Sequence, residues 1–142
     1  MPFATDVIDR PIEKVWAMVS DFAGLMRWHP QLRDCVVKGA GIGSERRVTL
    51  PDRTAVERLD VLDHDRHVLQ YTVTETADPR VLGVSGRIEL AAEDGGGTRV
   101  TWTFGLPDEH PEAEAVNGRM AAYYPVRINN LREAVERDSS PS

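Results

Sequence analysis

The last third of the chain carries one uninterrupted amphipathic helix signal, from about Pro111 to Arg137, and everything before it has to be built around that rod. Val116, Met120, Tyr124, Ile128, Leu131 and Val135 recur at steps of three and four, which is one face of an α-helix. At about 1.5 Å per residue the helix is on the order of 40 Å long, enough to cross a small domain end to end. Nearly everything ahead of it reads as strands with one apolar side each, and the helix is the element that covers them. A curved sheet laid over a long helix leaves space between the two, so the functional question is what fills that space.

The strands are marked out by turn chemistry. Phe3 to Asp9 alternates apolar and polar, as an opening strand does, and Arg10-Pro11 breaks it. Pro11 suits the first position of a helix that carries Ile12, Val15, Trp16 and Val19 on one face. Ser20 or Asp21 can cap a second short helix with Phe22, Leu25 and Met26, and His29-Pro30 ends it. Further strands are expected at Leu32 to Lys38, Glu45 to Leu50, Thr54 to Leu62, His67 to Thr76, Val81 to Ala92 and Thr98 to Leu106. The separators are short and rich in Gly, Asp and Pro, which permits hairpins, whereas parallel strands need long crossovers. The expected fold is α+β: a curved antiparallel sheet of about seven strands around a long C-terminal helix, with two short helices between strands 1 and 2. Residues 1–137 form one domain in this reading, and 138–142 a loose tail.

Composition excludes several classes. With 41% apolar and 28% charged residues the chain is globular, not disordered. No run approaches the ~18 apolar residues of a membrane span, so no integral membrane association is expected. No basic stretch followed by an apolar core opens the chain, and the single cysteine, Cys35, cannot form an internal disulfide. A reducing, cytoplasmic setting is the default expectation. A net charge of −6 argues against a general nucleic-acid partner, because neutralising phosphates needs a basic surface.

This order of elements resembles the helix-grip superfamily (SRPBCC) that includes START lipid-transfer domains, the birch-pollen allergen and bacterial polyketide cyclases. Pro11-Ile12-Glu13-Lys14-Val15-Trp16 is similar to the start of that family's first helix. Asp21-Phe22 with Trp28-His29-Pro30 is similar to the segment that follows, and Gly41-Ile42-Gly43-Ser44-Glu45-Arg46 to a family hairpin. Glu57-Arg58-Leu59 with Asp63, and Tyr71-Thr72-Val73, resemble two of its strands. The likeness runs over most of residues 3–137. It implies the fold, an internal cavity for an apolar small molecule, and no cofactor. It decides little about function, because one fold hosts carriers, receptors, cyclases and hydrolases.

Strand alternation predicts the inner wall: Arg46, Val48 and Leu50; Glu57, Leu59 and Val61; Leu69, Tyr71 and Val73; Val84, Gly86, Ile88 and Leu90; Val100, Trp102 and Phe104. The expected ligand contacts are Trp28, Val48, Leu59, Val73, Ile88, Trp102, Phe104, Met120, Tyr124 and Arg127, with Arg46, Glu57 and Tyr71 as candidate catalytic groups. Whether Glu57 shares a face with Arg46 depends on the turn at Pro51-Asp52. A loop of two or four residues keeps both inward, and a bulged loop of three separates them. Two readings of the pair stay open. It is a structural brace between strands, or it orients the polar end of a ligand. In the second, Arg46 holds a carboxylate or polarises a carbonyl, and Glu57 moves a proton.

Tyr71, Tyr123 and Tyr124 read first as core, but a hydroxyl facing a cavity can donate to a ligand carbonyl. Arg127 beside the apolar stripe reads as a solvated flank when it does not reach the ligand. Pro125 is expected to kink the helix near Ala121 to Tyr124. Of the histidines, His29 reads as a loop residue more readily than a general base, and His64 and His67 as members of a solvated polar turn. No metal site is predicted from these or from His110. Cys35 reads as an inert thiol. The glycines from Gly39 to Gly43 lead into a strand and not a helix, so they shape a hairpin and do not bind phosphate. Two functions survive, with a monomer or homodimer expected for either. One is a polyketide-cyclase/dehydratase-like enzyme that steers aldol closure or loss of water in an enclosed substrate. The other is a non-catalytic carrier or sensor of a lipid or apolar metabolite. A subunit-interaction role, as in some relatives, is a third possibility, and an exposed apolar patch on the sheet's outer face would favour it.

Overall fold

A computed structural model describes residues 3–106 and 113–139. The order is β1 (Phe3–Ile8), α1 (Ile12–Val19), a 3₁₀ segment (Phe22–Arg27), β2 (Asp34–Lys38), β3 (Glu45–Thr49), β4 (Thr54–Asp63), β5 (Val68–Thr76), β6 (Ser85–Ala92), β7 (Thr98–Gly105) and α2 (Ala113–Ser139). The seven strands form one antiparallel, curved sheet in the order β1-β7-β6-β5-β4-β3-β2. Consecutive strands from β2 to β7 are neighbours, as short turns require. Only β1 departs from sequence order, because α1 and the 3₁₀ segment carry the chain to the far edge before β2 begins. The fold is the α+β helix grip expected from the sequence.

The helix stripe docks as its spacing predicts. Val116, Tyr124, Ile128, Leu131 and Val135 are buried, with Ala134 beside them. Ile128, Leu131 and Val135 join Ile8, Leu59, Leu69, Ile88, Val100 and Phe104 in one continuous core. Arg132 pins the helix to the sheet edge, donating to the Val7 carbonyl at 3.1 Å and pairing with Asp6 at 2.6 Å. α2 stays one helix across Pro125, which occupies an exposed position. Asp138, read as the start of a tail, lies in its last turn and pairs with Arg27 at 3.4 Å. Residues 111 and 112, where the helix signal begins, and 140–142 of the expected tail lie outside the described residues, as does His110.

Several sequence expectations are refined or corrected. The second short helix is present as a 3₁₀ segment, Phe22–Arg27, and its refinement is the non-helical dihedrals at Gly24. β6 begins at Ser85: Val81 and Val84 lie in the preceding turn and are buried in a small cluster with Val116. The β4–β5 pairing shifts register between Leu59 and Val61. After that bulge Leu62, opposite Leu69, packs on the core, and Val61 loses the inward place that strict alternation assigns it.

The Tyr71–Gly86 pair shapes the interior. The two residues face one another across β5 and β6. A Cβ on Gly86 would stand 2.5 Å from the Tyr71 hydroxyl, well inside contact distance. The missing side chain is therefore the space in which the tyrosine ring lies.

Candidate functional site

A cavity of about 130 Å³ lies between the inner face of the sheet and α2. Arg46, Val48, Ala55, Glu57, Tyr71 and Val73 line it from β3, β4 and β5, and Trp102 from β7. α2 contributes Arg119, Met120, Tyr123 and Tyr124, and the stretch after α1 contributes Leu25, His29 and Leu32. Leu50, Arg53, Val81 and Val84 add the turns at one end. An apolar void of about 150 Å³ holds one benzene, so this cavity has the size of a single ring or a short chain.

The structure brings together only part of the predicted wall. Arg46, Glu57, Tyr71, Val48, Val73, Trp102, Met120 and Tyr124 line the cavity. Leu59, Ile88 and Phe104 do not: they lie in the solid part of the core, Phe104 with its ring edge-on to Tyr124 at 5.1 Å. Alternation tells which face a residue is on, but not how far along the helix the hollow extends. Trp28 is also core, packed against Trp102 with ring centroids 5.8 Å apart. Arg127 lies outside the lining as well. It is 4% exposed, so it is not a solvated flank.

Arg46 and Glu57 are direct partners across β3 and β4. Thr49 pairs with Thr54, leaving a four-residue turn at 50–53 that keeps both side chains inward. Arg46 Nε donates to Glu57 Oε1 at 2.7 Å, and its Nη1 donates to the Phe22 carbonyl at 3.1 Å. The guanidinium also lies over the Phe22 ring at 4.1 Å and faces the Tyr71 ring at 5.3 Å. With side-chain exposures of 6% and 15%, each charge is the counterion that makes burial of the other tolerable.

Three tyrosines surround this pair. Burial, then the neighbouring Tyr124 hydroxyl, holds the Tyr71 phenol well above its ordinary range. Burial likewise raises Tyr124, whose ring stacks on Trp102 at 4.6 Å. Tyr123 is raised by burial, against the opposing pull of the Arg127 charge. All three are therefore neutral hydrogen-bond donors at ordinary pH and not phenolate bases.

His29 lies in the irregular connection after the 3₁₀ segment, as its place before Pro30 predicts, but it faces inward. It is 6% exposed and lines the cavity, with Nε2 2.8 Å from the Tyr123 hydroxyl and Nδ1 3.4 Å from Nη1 of Arg127. Burial first, then the Arg127 charge, lowers its pKa to about 4. The Arg46 and Arg53 charges act in the same direction, and its own backbone carbonyl opposes them. The signal that could have found this cluster is the spacing of Tyr123 and Arg127, four apart and so on one helix face.

The pH consequence of His29 has a definite sign. The unfolded chain takes up the proton near pH 6.5 and the native state only near 4. The stabilisation is therefore complete above about 6.5 and lost as pH falls towards 4, by roughly 3 kcal/mol in all. Asp6 and Asp78, whose carboxyls are held below their ordinary range chiefly by Arg132 and Arg80, lose their contributions mainly below that window. His29→Gln is expected to flatten the wild-type decline in urea midpoint between pH 6.5 and 4. An unchanged slope would remove His29 as its source.

Other candidates are occupied differently. His64 Nδ1 accepts from the Trp16 indole at 3.0 Å, and the His67 ring meets Trp16 edge-on at 5.4 Å, so this turn caps a core tryptophan. Among the described residues, no group of three or more His, Cys, Asp or Glu is placed to hold a metal ion. Burial raises the Cys35 thiol, making it a poor nucleophile. No helix among the described residues is long and apolar enough to cross a membrane.

A seven-stranded antiparallel sheet gripping a long C-terminal helix around a hollow defines the helix-grip class of proteins. The chain belongs to the polyketide cyclase / dehydrase and lipid transport family, whose pattern it matches over residues 4–136. Part of it is 34% identical to the abscisic acid receptor PYL6 of Arabidopsis thaliana, over 46% of this chain and 34% of the receptor. The match thus spans about a third of that relative's length. A Thermobifida fusca protein solved by NMR has 27% identity and a TM-score of 0.74, covering 99% of this chain and 96% of its own. Ara h 8.0201 shares the fold at 19% identity and a TM-score of 0.75, with 95% and 96% covered.

Proposed function

We propose that this domain binds a small, largely apolar, oxygen-bearing molecule in the cavity under α2, and that it acts on it in the manner of a cyclase or dehydratase. The observation that carries the proposal is the composition of the wall. Arg46, Glu57, Tyr71, Tyr123, Tyr124 and His29, with Arg53 and Arg119 in the same wall, converge on one hollow whose remaining lining is apolar, Val48, Val73, Met120 and Trp102 among it. Apolar walls hold a small substrate against the polar groups, and fixing reacting groups in contact is worth up to about 7–11 kcal/mol. A tyrosine or Arg46 polarises the carbonyl, and Glu57, paired with Arg46 at 2.7 Å, transfers the proton. In dehydration of a β-hydroxy ketone, a base takes the proton between carbonyl and carbinol carbons. The enolate electrons then form the double bond as hydroxide leaves with a proton.

A second reading, a non-catalytic carrier or sensor, is favoured by a specific observation. The Arg46–Glu57 pair is closed on itself, with the arginine also spent on the Phe22 carbonyl. The partial likeness to a receptor points the same way. Ultraviolet absorbance separates the two. Incubation with a β-hydroxy ketone carrying one aromatic ring is expected to give protein-dependent growth of the conjugated enone band, lost when Arg46→Met and Glu57→Leu are combined. Probe retained without enone growth would establish carriage instead.

A further inference from the structure

Arg127, His29 and Tyr123 form a chain whose direction the proposed chemistry does not specify. The Arg127 guanidinium lies over the Tyr123 ring at 4.6 Å, donates to Asn130 Oδ1 at 2.8 Å, and brings Nη1 to 3.4 Å from His29 Nδ1. Among the described residues no carboxylate forms an ion pair with it. A guanidinium only donates, so beside this cation the facing ring nitrogen keeps its lone pair in preference to donating to the His29 backbone carbonyl, the competing acceptor. A neutral imidazole then carries its proton on Nε2. Nε2 lies 2.8 Å from the Tyr123 hydroxyl, so the ring donates and the phenol oxygen accepts. The phenol's own proton is left over. Among the described residues nothing else is hydrogen-bonded to that hydroxyl, and Tyr123 is part of the cavity wall.

We infer that Arg127 and His29 are positioning residues that hold the Tyr123 hydroxyl as a donor into the cavity, and that the ligand presents a neutral carbonyl oxygen to it. The direction of the chain follows from the cationic end: with Arg127 at one side, each link donates towards the hollow. The Arg46 charge is already neutralised by Glu57, while Arg53 and Arg119, also in the wall, pair with Asp52 at 3.6 Å and Asp78 at 3.9 Å; a neutral carbonyl needs only the phenol proton and none of these charges. The inference rests on the ligand-binding reading above and adds which atom of the protein meets which group of the ligand. It also separates Tyr123 from Tyr71 and Tyr124, which lack a histidine behind the hydroxyl.

Two measurements on the whole chain test it. Heteronuclear NMR of the His29 ring nitrogens at neutral pH is expected to show the Nε2–H tautomer; the Nδ1–H tautomer would overturn the assignment without any variant being made. The second uses a pair of probes of equal shape, acetophenone and α-methylstyrene, which differ in a carbonyl against a methylidene group. Tyr123→Phe is expected to weaken acetophenone about three- to tenfold while leaving α-methylstyrene unchanged. His29→Leu should reproduce most of that loss, and His29→Gln, whose amide can donate from a similar place, should restore part of it. Equal weakening of both probes would make these residues packing groups only, and no change in either would place the carbonyl elsewhere. If the wild-type chain bound α-methylstyrene with no dependence on Tyr123 for acetophenone, the donor assignment would fall and the cavity reading would stand. Binding of neither probe would remove both.

Discussion

Glu57→Ala is expected to cost about 3–5 kcal/mol of folding stability, because it strands the Arg46 guanidinium in the interior without a counterion. Arg46 is 5% exposed, and its remaining donated bond, to the Phe22 carbonyl, leaves the charge uncompensated. For a chain of this length the melting temperature should fall by roughly 10–20 °C. Arg46→Met combined with Glu57→Leu removes both charges and fills the same space. That variant is expected to fold within about 1–2 kcal/mol of the wild type, since a buried ion pair is weak as a net stabiliser. It is also expected to lose turnover of the β-hydroxy ketone probe. A folded double variant that keeps full turnover would confine the pair to bracing β3 and β4. A Glu57→Ala protein as stable as the wild type would show that water reaches the arginine.

Phe104→Ala should be comparably severe, at about 3–5 kcal/mol. The ring is 1% exposed, stands opposite Gly86 in the β6–β7 pairing, and meets Tyr124 edge-on. Truncation leaves a void beside Gly86, over which the Tyr71 ring already lies, and beside the Tyr124 ring. Denaturant unfolding reads the loss. Because Phe104 lies below the cavity and does not line it, the variant is expected to retain α-methylstyrene binding once its lower stability is allowed for. A variant near wild-type stability that no longer binds the probe would return Phe104 to the ligand-contacting wall that strand alternation suggested.

Much of the fold was legible in the chain because its signals are local and periodic. The step of three and four from Val116 to Val135 places a helix whatever it packs on. Alternation in β3 and β7 places Val48, Trp102 and Phe104 on one side of a pleat. The short Gly- and Asp-rich separators make neighbours of consecutive strands. Local reading failed where a single residue changes the count. The bulge after Leu59 turns Val61 away and brings Leu62 in. At residues 50–53 the turn length decided whether Arg46 and Glu57 would face each other, and four residues made them partners.

The candidate site was legible only by halves. Arg46, Glu57 and Tyr71 stand out in sequence as polar groups on an apolar face, and all three line the hollow. Leu59, Ile88 and Phe104 look identical in pattern to Val48 and Val73, yet they lie where sheet and helix close completely. His29 has no periodic signature, and Arg127 looks like an ordinary flank. Their meeting requires the segment after α1 to fold back against the middle of α2, a contact between residues 98 apart in the chain.

The sequence by itself determined the elements, their order, and which face of each is apolar, because backbone geometry imposes periods of 3.6 and 2 residues on any chain that buries a stripe. Only the tertiary structure decided where along the helix the two layers part and which distant polar groups stand at that gap. Those outcomes depend on sheet curvature, bulges and side-chain volumes summed over many strands, and no local pattern of residues encodes such a sum.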